Sequence, residues 1–176
     1  MKPPNPNNKA LKKLTFKIIK DQDDYPPMEF ESIWGIQITK NTFELDNTPY
    51  YIYGLSKGDT VLAITKNNEL CGSEIVAKGG HSTLRVFAEH PDMRKKIRDE
   101  IINLGANCNN ATGSSLLAID IPPAVDFNSI DKYLSSITDD DTIAYEDACL
   151  QHKTGDTKRE NECLEISSIP LKQKHQ

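Results

Sequence analysis

Apolar and polar residues alternate along the first half of the chain, whereas in parts of the second half the apolar ones recur every three or four positions. The alternation predicts short strands over residues 14–19, 30–39, 42–45, 50–53, 60–66 and 70–77. Turn residues separate them: Lys40 and Asn41, Asn47 to Pro49, Gly54 and Gly58, then Asn67 and Asn68. Residues 21–27 form an acidic loop closed by prolines. Short strands joined by short turns at regular spacing predict a small, strongly bent antiparallel sheet or barrel.

The period then changes. A strand over 82–88 precedes a helix in which Met93, Ile97, Ile101 and Leu104 share one face, with Asp92 as its cap and Gly105 as its stop. Strands over 107–111 and 116–121 follow, the second ended by Pro122 and Pro123. Asp126 is placed to cap a second helix carrying Ile130, Tyr133, Leu134 and Ile137, and a last strand covers 142–150. Strand–helix–strand–strand–helix–strand is the βαββαβ order of ferredoxin-like units, with both helices on one face of an antiparallel sheet. The expected fold class is therefore α+β: an N-terminal antiparallel sheet or small barrel (14–80) packed on a C-terminal ferredoxin-like unit (81–152). A proline- and asparagine-rich lead-in (1–13) is expected to be disordered, and a charged, aperiodic tail (153–176) to be partly flexible.

Composition narrows the function classes. At 176 residues the chain has the length of one domain or two small subdomains. A formal net charge of -5 argues against nucleic acid as a partner, which needs a basic face, and suits a basic protein partner instead. No apolar run approaches membrane-spanning length and residues 1–14 contain no apolar signal core, so the expected location is the cytoplasm, with no membrane partner. Cys71, Cys108, Cys149 and Cys163 form no Cys-x-x-Cys pair and are expected to be free thiols. The scattered His81, His90, His152 and His175 do not complete a zinc site, and neither a metal nor a cofactor is expected.

The densest group of unusual polar residues is the loop 79–85. Its glycines, with Gly80, His81, Ser82, Thr83 and Arg85, have the residue types of a small-anion or nucleotide site, or of an enzyme built around it. The competing reading is a crowded crossover between subdomains, in which Gly79 and Gly80 allow close approach and the polar side chains satisfy backbone groups. A nucleophilic Ser82 or Cys149 requires a base and an orienting group; His81 adjoins Ser82 on a strand, where neighbours face opposite ways, and Cys149 meets His152 only if the chain turns. No catalytic residue is assigned. Asp46 and Asp59 adjoin turns and read as backbone caps. Tyr51 and Tyr53 share a face, suited either to an interface or to the joint between subdomains, and Trp34 is an anchor or a core residue. Two acidic clusters stand out: Asp21, Asp23 and Asp24 near Glu29 and Glu31, and Asp139, Asp140 and Asp141 near Glu146 and Asp147.

Several runs together give the chain a family resemblance. They are Ser32-Ile33-Trp34, Leu45-Asp46-Asn47-Thr48-Pro49-Tyr50, the stretch from Tyr53 through Gly54, Ser56, Gly58 and Asp59 to Val61, Gly80 to Thr83 with Arg85, Asp120-Ile121-Pro122-Pro123, and Tyr145 to Leu150. On these the chain resembles the bacterial domain-of-unknown-function family 4265 over about residues 14–152; it is less rich in arginine and alanine than the family, and its two tails have no counterpart there. The resemblance implies a small cytoplasmic protein, in some cases encoded beside a secreted toxin, and so an immunity function. The expectation is a non-enzymatic protein that occludes a cognate toxin with a basic active-site surface, using Asp139, Asp140, Asp141, Glu146, Tyr51, Tyr53, Asp23 and Asp24.

Overall fold

The computed structural model of the chain describes residues 9–172. Five strands in chain order close a barrel: β1 (Leu11–Lys17), β2 (Phe30–Gln37), β3 (Thr42–Leu45), β4 (Thr60–Lys66) and β5 (Glu69–Ala77). Each runs antiparallel to the one before it. Because five is odd, β1 and β5 point the same way, and closure is through a parallel pairing where Thr15 faces Cys71. Alternation along each strand then divides inside from outside: Leu14, Phe16, Ile33, Phe43, Leu45, Val61 and Ile75 form the barrel core, joined by Ile52 and Leu55 from the β3–β4 connection. Trp34 faces outward and is 51% exposed, a surface ring and not core. Between β4 and β5, Lys66 pairs with Glu69 across Asn67 and Asn68, both at positive φ. Two left-handed residues give a turn whose twist matches the strands, and asparagine tolerates that conformation.

The second half contains β6 (Ser82–Ala88), α1 (Pro91–Asn103), β7 (Asn107–Asn110), β8 (Leu116–Ile121), α2 (Phe127–Ile137) and β9 (Ile143–Cys149). Its strands make an antiparallel sheet in the order β7-β8-β6-β9. One face, with Leu84, Val86, Leu117 and Ile119, packs on Ile97 and Ile101 of α1 and on Phe127, Ile130 and Leu134 of α2. The other face carries Thr83, Arg85, Asp120 and Glu146, which the register places side by side, and bonds to the barrel through Thr83 and Arg85. The protein is thus α+β, a five-stranded antiparallel barrel and a second antiparallel sheet covered by helices. Asp126 caps α2 by accepting from the Asn128 and Ser129 amides. At α1 the cap is His90, with Pro91 and Asp92 inside the first turn; the fixed φ and missing N–H of proline suit that position and move the start ahead of Asp92.

Three stretches depart from the reading of the sequence. Residues 50–53 form no strand. The amides of Tyr50, Tyr51 and Ile52 donate to the Glu31 carboxylate at 2.6, 2.9 and 2.9 Å, and the Tyr51 and Ile52 carbonyls accept from Arg85. Side chains satisfy the backbone groups that a neighbouring strand would otherwise have to meet. The lead-in gives way to β1 at Leu11, which pairs with Ile36; residues 1–8 lie outside the described residues. The tail carries α3 (Thr157–Glu165) and then lies along the barrel, where the Ile75 amide donates to the Pro170 carbonyl and the Lys172 amide to the Ile75 carbonyl. What seats α3 is Arg159, which forks onto Asp147 at 2.6 and 2.7 Å and onto Asp131 at 3.0 and 3.0 Å. Residues 173–176 lie outside the described residues. No helix among the described residues is long and apolar enough to cross a membrane.

Gly72 on β5 occupies a place where any side chain would overlap the Phe16 ring, and Phe16 is fully buried. Gly72→Ala is expected to cost about 1–3 kcal/mol of stability, measured as a lower urea midpoint with an unchanged slope.

Candidate functional site

The polar residues singled out in the sequence meet where the barrel joins the sheet. At the centre is Asp59, a fully buried carboxylate at the start of β4. Its Oδ2 accepts from the Ser56 amide at 2.9 Å and the Lys78 ammonium at 3.3 Å. Its Oδ1 accepts from the Gly79 amide at 2.9 Å and from Gln151 Nε2 at 2.8 Å. One side chain therefore ties together the turn before β4, the crossover into β6 and the segment after β9. Four donors compensate the desolvation of the charge, two of them backbone amides that would otherwise be orphaned. A Cβ on Gly79 would overlap the Gly58 carbonyl, so glycine at 79 is what lets the crossover lie against the turn. The Gly80 amide donates to Gln151 Oε1 at 2.7 Å.

His81, just ahead of β6, and the first residues of β6 go to different partners. The His81 Nδ1–H donates to Asp120 Oδ1 at 2.7 Å, and the other oxygen of Asp120 accepts from Asn107 Nδ2 at 3.0 Å. Ser82 turns to His152, its Oγ 2.7 Å from Nδ1. Because His152 Nε2 faces the Pro122 carbonyl at 3.1 Å, and a carbonyl only accepts, Nε2 carries the proton and Nδ1 accepts from the serine. The same serine oxygen accepts from the Gln151 and His152 amides at 2.8 and 3.0 Å. With its proton and both lone pairs engaged, this buried hydroxyl clasps the start of β6 to the segment after β9. Cys149 receives Lys78 Nζ at 3.8 Å and Gln151 Nε2 at 3.6 Å, so His152 serves the serine and not the thiol. Thr83 Oγ1 lies 2.7 Å from Ser56 Oγ.

Arg85 is the most deeply placed cation, 1% exposed. Its Nη1 donates to the Tyr51 carbonyl at 3.2 Å and its Nη2 to the Ile52 carbonyl. The guanidinium lies 4.6 Å from the centre of the Tyr53 ring and 3.6 Å from Glu146 Oε1. The Tyr53 hydroxyl donates to both Glu146 oxygens at 2.9 and 3.0 Å; burial, then the adjacent carboxylate, holds it well above the ordinary tyrosine range. Tyr51 and Tyr53 thus belong to the joint between barrel and sheet.

The acidic clusters divide into engaged and exposed members. Asp21 Oδ1 accepts from the Asp23 and Tyr25 amides, and Asp24 pairs with Lys20 at 3.0 Å. Asp139 accepts from the Asp141, Thr142 and Ile143 amides and from the Thr142 hydroxyl. The Thr142 hydroxyl foremost, then those amides, hold its carboxyl well below the usual range. Asp140, at positive φ, and Asp141 are exposed. Among the described residues no hydrogen bond or ion pair joins Asp23 or Asp24 to Asp139, Asp140 or Asp141. Asp120, Gln151, His152 and Glu31 complete the joint and were not among the predicted site residues. Asp120 had a visible signal, a lone charge in the apolar run of β8; the other three lie in stretches whose pattern says nothing of their partners.

Two outcomes test this arrangement. Asp59→Ala removes the acceptor of the Ser56 and Gly79 amides and the counter-charge of Lys78, and is expected to cost about 3–5 kcal/mol, measured by urea unfolding. For Asp139 the folded value lies below the unfolded one, so its contribution is complete above about pH 4 and is lost as pH falls through the folded value. Thr142→Val is expected to raise the Asp139 value toward the ordinary range, read by NMR titration, and so to make the stability lost on acidification smaller.

Among solved structures, the fold is similar to the crystal structure of a hypothetical protein from Neisseria gonorrhoeae, at 17% identity and a TM-score of 0.66, over 82% of this chain and 98% of that one. No curated protein matches the chain. The family model described as "Domain of unknown function (DUF4265)" matches residues 31–145, a span that includes Glu31, Asp59, Arg85 and Asp120, and the chain belongs to that family.

Proposed function

We propose that this is a non-enzymatic binding protein whose partner presents a basic surface, and that it acts as an immunity protein, covering the active site of a cognate toxin. The observation that carries the reading is the contrast between the loop 79–85 and the turn 139–141. Gly80, His81, Ser82, Thr83 and Arg85 each already bond to another part of the chain, so the groups best suited to chemistry are engaged: Thr83 and Arg85 tie the sheet to the β3–β4 connection, and Gly80, His81 and Ser82 tie the crossover to β8 and to the segment after β9. Asp140 and Asp141 instead project from a turn that Asp139 keeps rigid. Fixed, exposed carboxylates raise the encounter rate with a basic surface and select against acidic ones.

The C-terminal unit is read as ferredoxin-like. Its βαββαβ order and the sheet order β7-β8-β6-β9 support this, with both helices feeding one core. The cytoplasm is the proposed compartment, supported by four free cysteines. A second reading, a small-anion, nucleotide or enzymatic site at 79–85, is favoured by the His81–Asp120 pair. A carboxylate 1% exposed orients a ring that keeps some access to solvent, the relation of a base to its orienting group.

The two readings part in one experiment. Tagged protein is used to capture a partner from a lysate of its source cells at low and high salt, and the captured protein is assayed for toxic activity with and without added chain. The immunity reading expects stoichiometric inhibition that weakens with salt, falls by about tenfold or more in affinity for the Asp140→Lys, Asp141→Lys double variant, and survives His81→Ala. Inhibition that is abolished by His81→Ala and indifferent to the double variant would sink it in favour of the loop.

A further inference from the structure

The outer face of β2 carries an apolar stripe that nothing among the described residues covers. Period two sends Ile33 and Gly35 into the barrel, Gly35 against Leu14 and Phe43, and turns Phe30, Ser32, Trp34 and Ile36 outward. Leu11 of β1 stands opposite Ile36 on the same face. Phe30 is 55% exposed and Leu11 52%, much as Trp34 is. A tryptophan and a phenylalanine held on an exposed sheet face are the chemistry of a protein interface.

Register arranges charge along both sides of the stripe. Lys13 of β1 lies opposite Trp34, and the Trp34 carbonyl accepts from the Asp46 amide just past β3. One row across the face is therefore Lys13, Trp34, Asp46. The next is Leu11, Ile36, Glu44, and Lys17 stands beside Phe30. Lysines thus border the stripe on its β1 side and carboxylates on its β3 side, the two borders about 10 Å apart. Lys13, Lys17, Glu44 and Asp46 are exposed, and none takes part in an ion pair among the described residues.

An acidic partner would be repelled by one border and a basic partner by the other. A second copy of the chain meets neither penalty. A half-turn about an axis parallel to β2 brings two such faces together and exchanges their sides, so β1 of each copy lies over β3 of the other. An axis across the strands would instead set lysine over lysine. We propose that this face joins two copies of the chain about a two-fold axis along β2. Trp34 and Ile36 pack on their own counterparts at the centre. Lys13 of each copy pairs with Asp46 of the other, its long stem spanning the gap left where the curved barrel falls away. The proposal makes no use of Asp140 or Asp141 and stands apart from partner binding there.

The test is sedimentation of the full chain between about 1 and 500 μM, with the emission of Trp34 followed over the same range. Trp34 is the only tryptophan of the chain, so its emission reports on this face alone. A monomer–dimer equilibrium is expected, with the emission moving to shorter wavelength and growing less open to acrylamide quenching as the dimer forms. Lys13→Glu and Asp46→Lys are each expected to weaken dimerisation by about tenfold or more, because each sets like charges face to face. The double variant Lys13→Glu, Asp46→Lys restores opposite charges at both symmetric contacts and is expected to recover the dimer. Trp34→Ser is expected to weaken it by about a hundredfold, and thermal unfolding checks that every variant folds. A chain that stays monomeric over the whole range overturns the proposal and leaves the face to a different protein. A dimer that keeps its affinity in Trp34→Ser or in both single charge variants is built on another face and overturns it too, as does a double variant no stronger than the single ones.

Discussion

A guanidinium cannot be taken almost wholly out of water unless the surroundings are arranged to receive it, and the placing of Arg85 imposes that condition on the rest of the protein. Its acceptors are the carbonyls of Tyr51 and Ile52, in a segment from the other half of the chain. For those carbonyls to face the sheet, residues 50–52 must leave the barrel ladder, and their amides must find an acceptor elsewhere. Glu31 provides it by receiving three of them. The cation on β6 and the carboxylate on β2 are thus two ends of one arrangement, with a short length of backbone stretched between them.

Asp59 works by the same logic at the other end of the joint. There a buried carboxylate gathers a turn, a crossover and the segment after β9. Between Asp59 and Arg85 the two halves meet mainly through polar groups, while each half keeps its own apolar core. Apolar contact is tolerant of small slips, but a network of buried hydrogen bonds is not, because each displaced donor or acceptor is left unmet. The joint therefore fixes how the barrel sits on the sheet. This is also why a loop rich in glycine, histidine, serine and arginine can be structural: its chemistry is directed inward.

The proposed function rests on what the joint leaves over. The carboxylates of Asp140 and Asp141 stand on a turn made rigid by Asp139. On that proposal they address a charged protein surface.

Much of the architecture was legible in the chain itself. Alternation located β3 and β4 at their observed bounds, because one face of each is buried and period two leaves little freedom, and nearly continuous burial did the same for β6 and β8. Asn67 and Asn68 announced their hairpin, and Asp126 its helix, because turns and caps depend on neighbours only a few residues away. The tail was not legible. In α3 only Cys163 is buried, and a helix seated by Arg159 between Asp131 and Asp147 has no apolar stripe to betray it. The aromatic run from Tyr50 misled for a related reason, since its strand-like composition was overruled by Glu31 and Arg85, 19 and more residues away. In the site, the residue types of the loop 79–85 were visible, but not that Ser82 belongs to His152, His81 to Asp120 and Asp59 to Gln151. Local pattern follows from short-range sterics and burial, which the sequence contains. The pairing of polar groups is set by which distant segments the two cores bring together, and that was decided only in the tertiary structure.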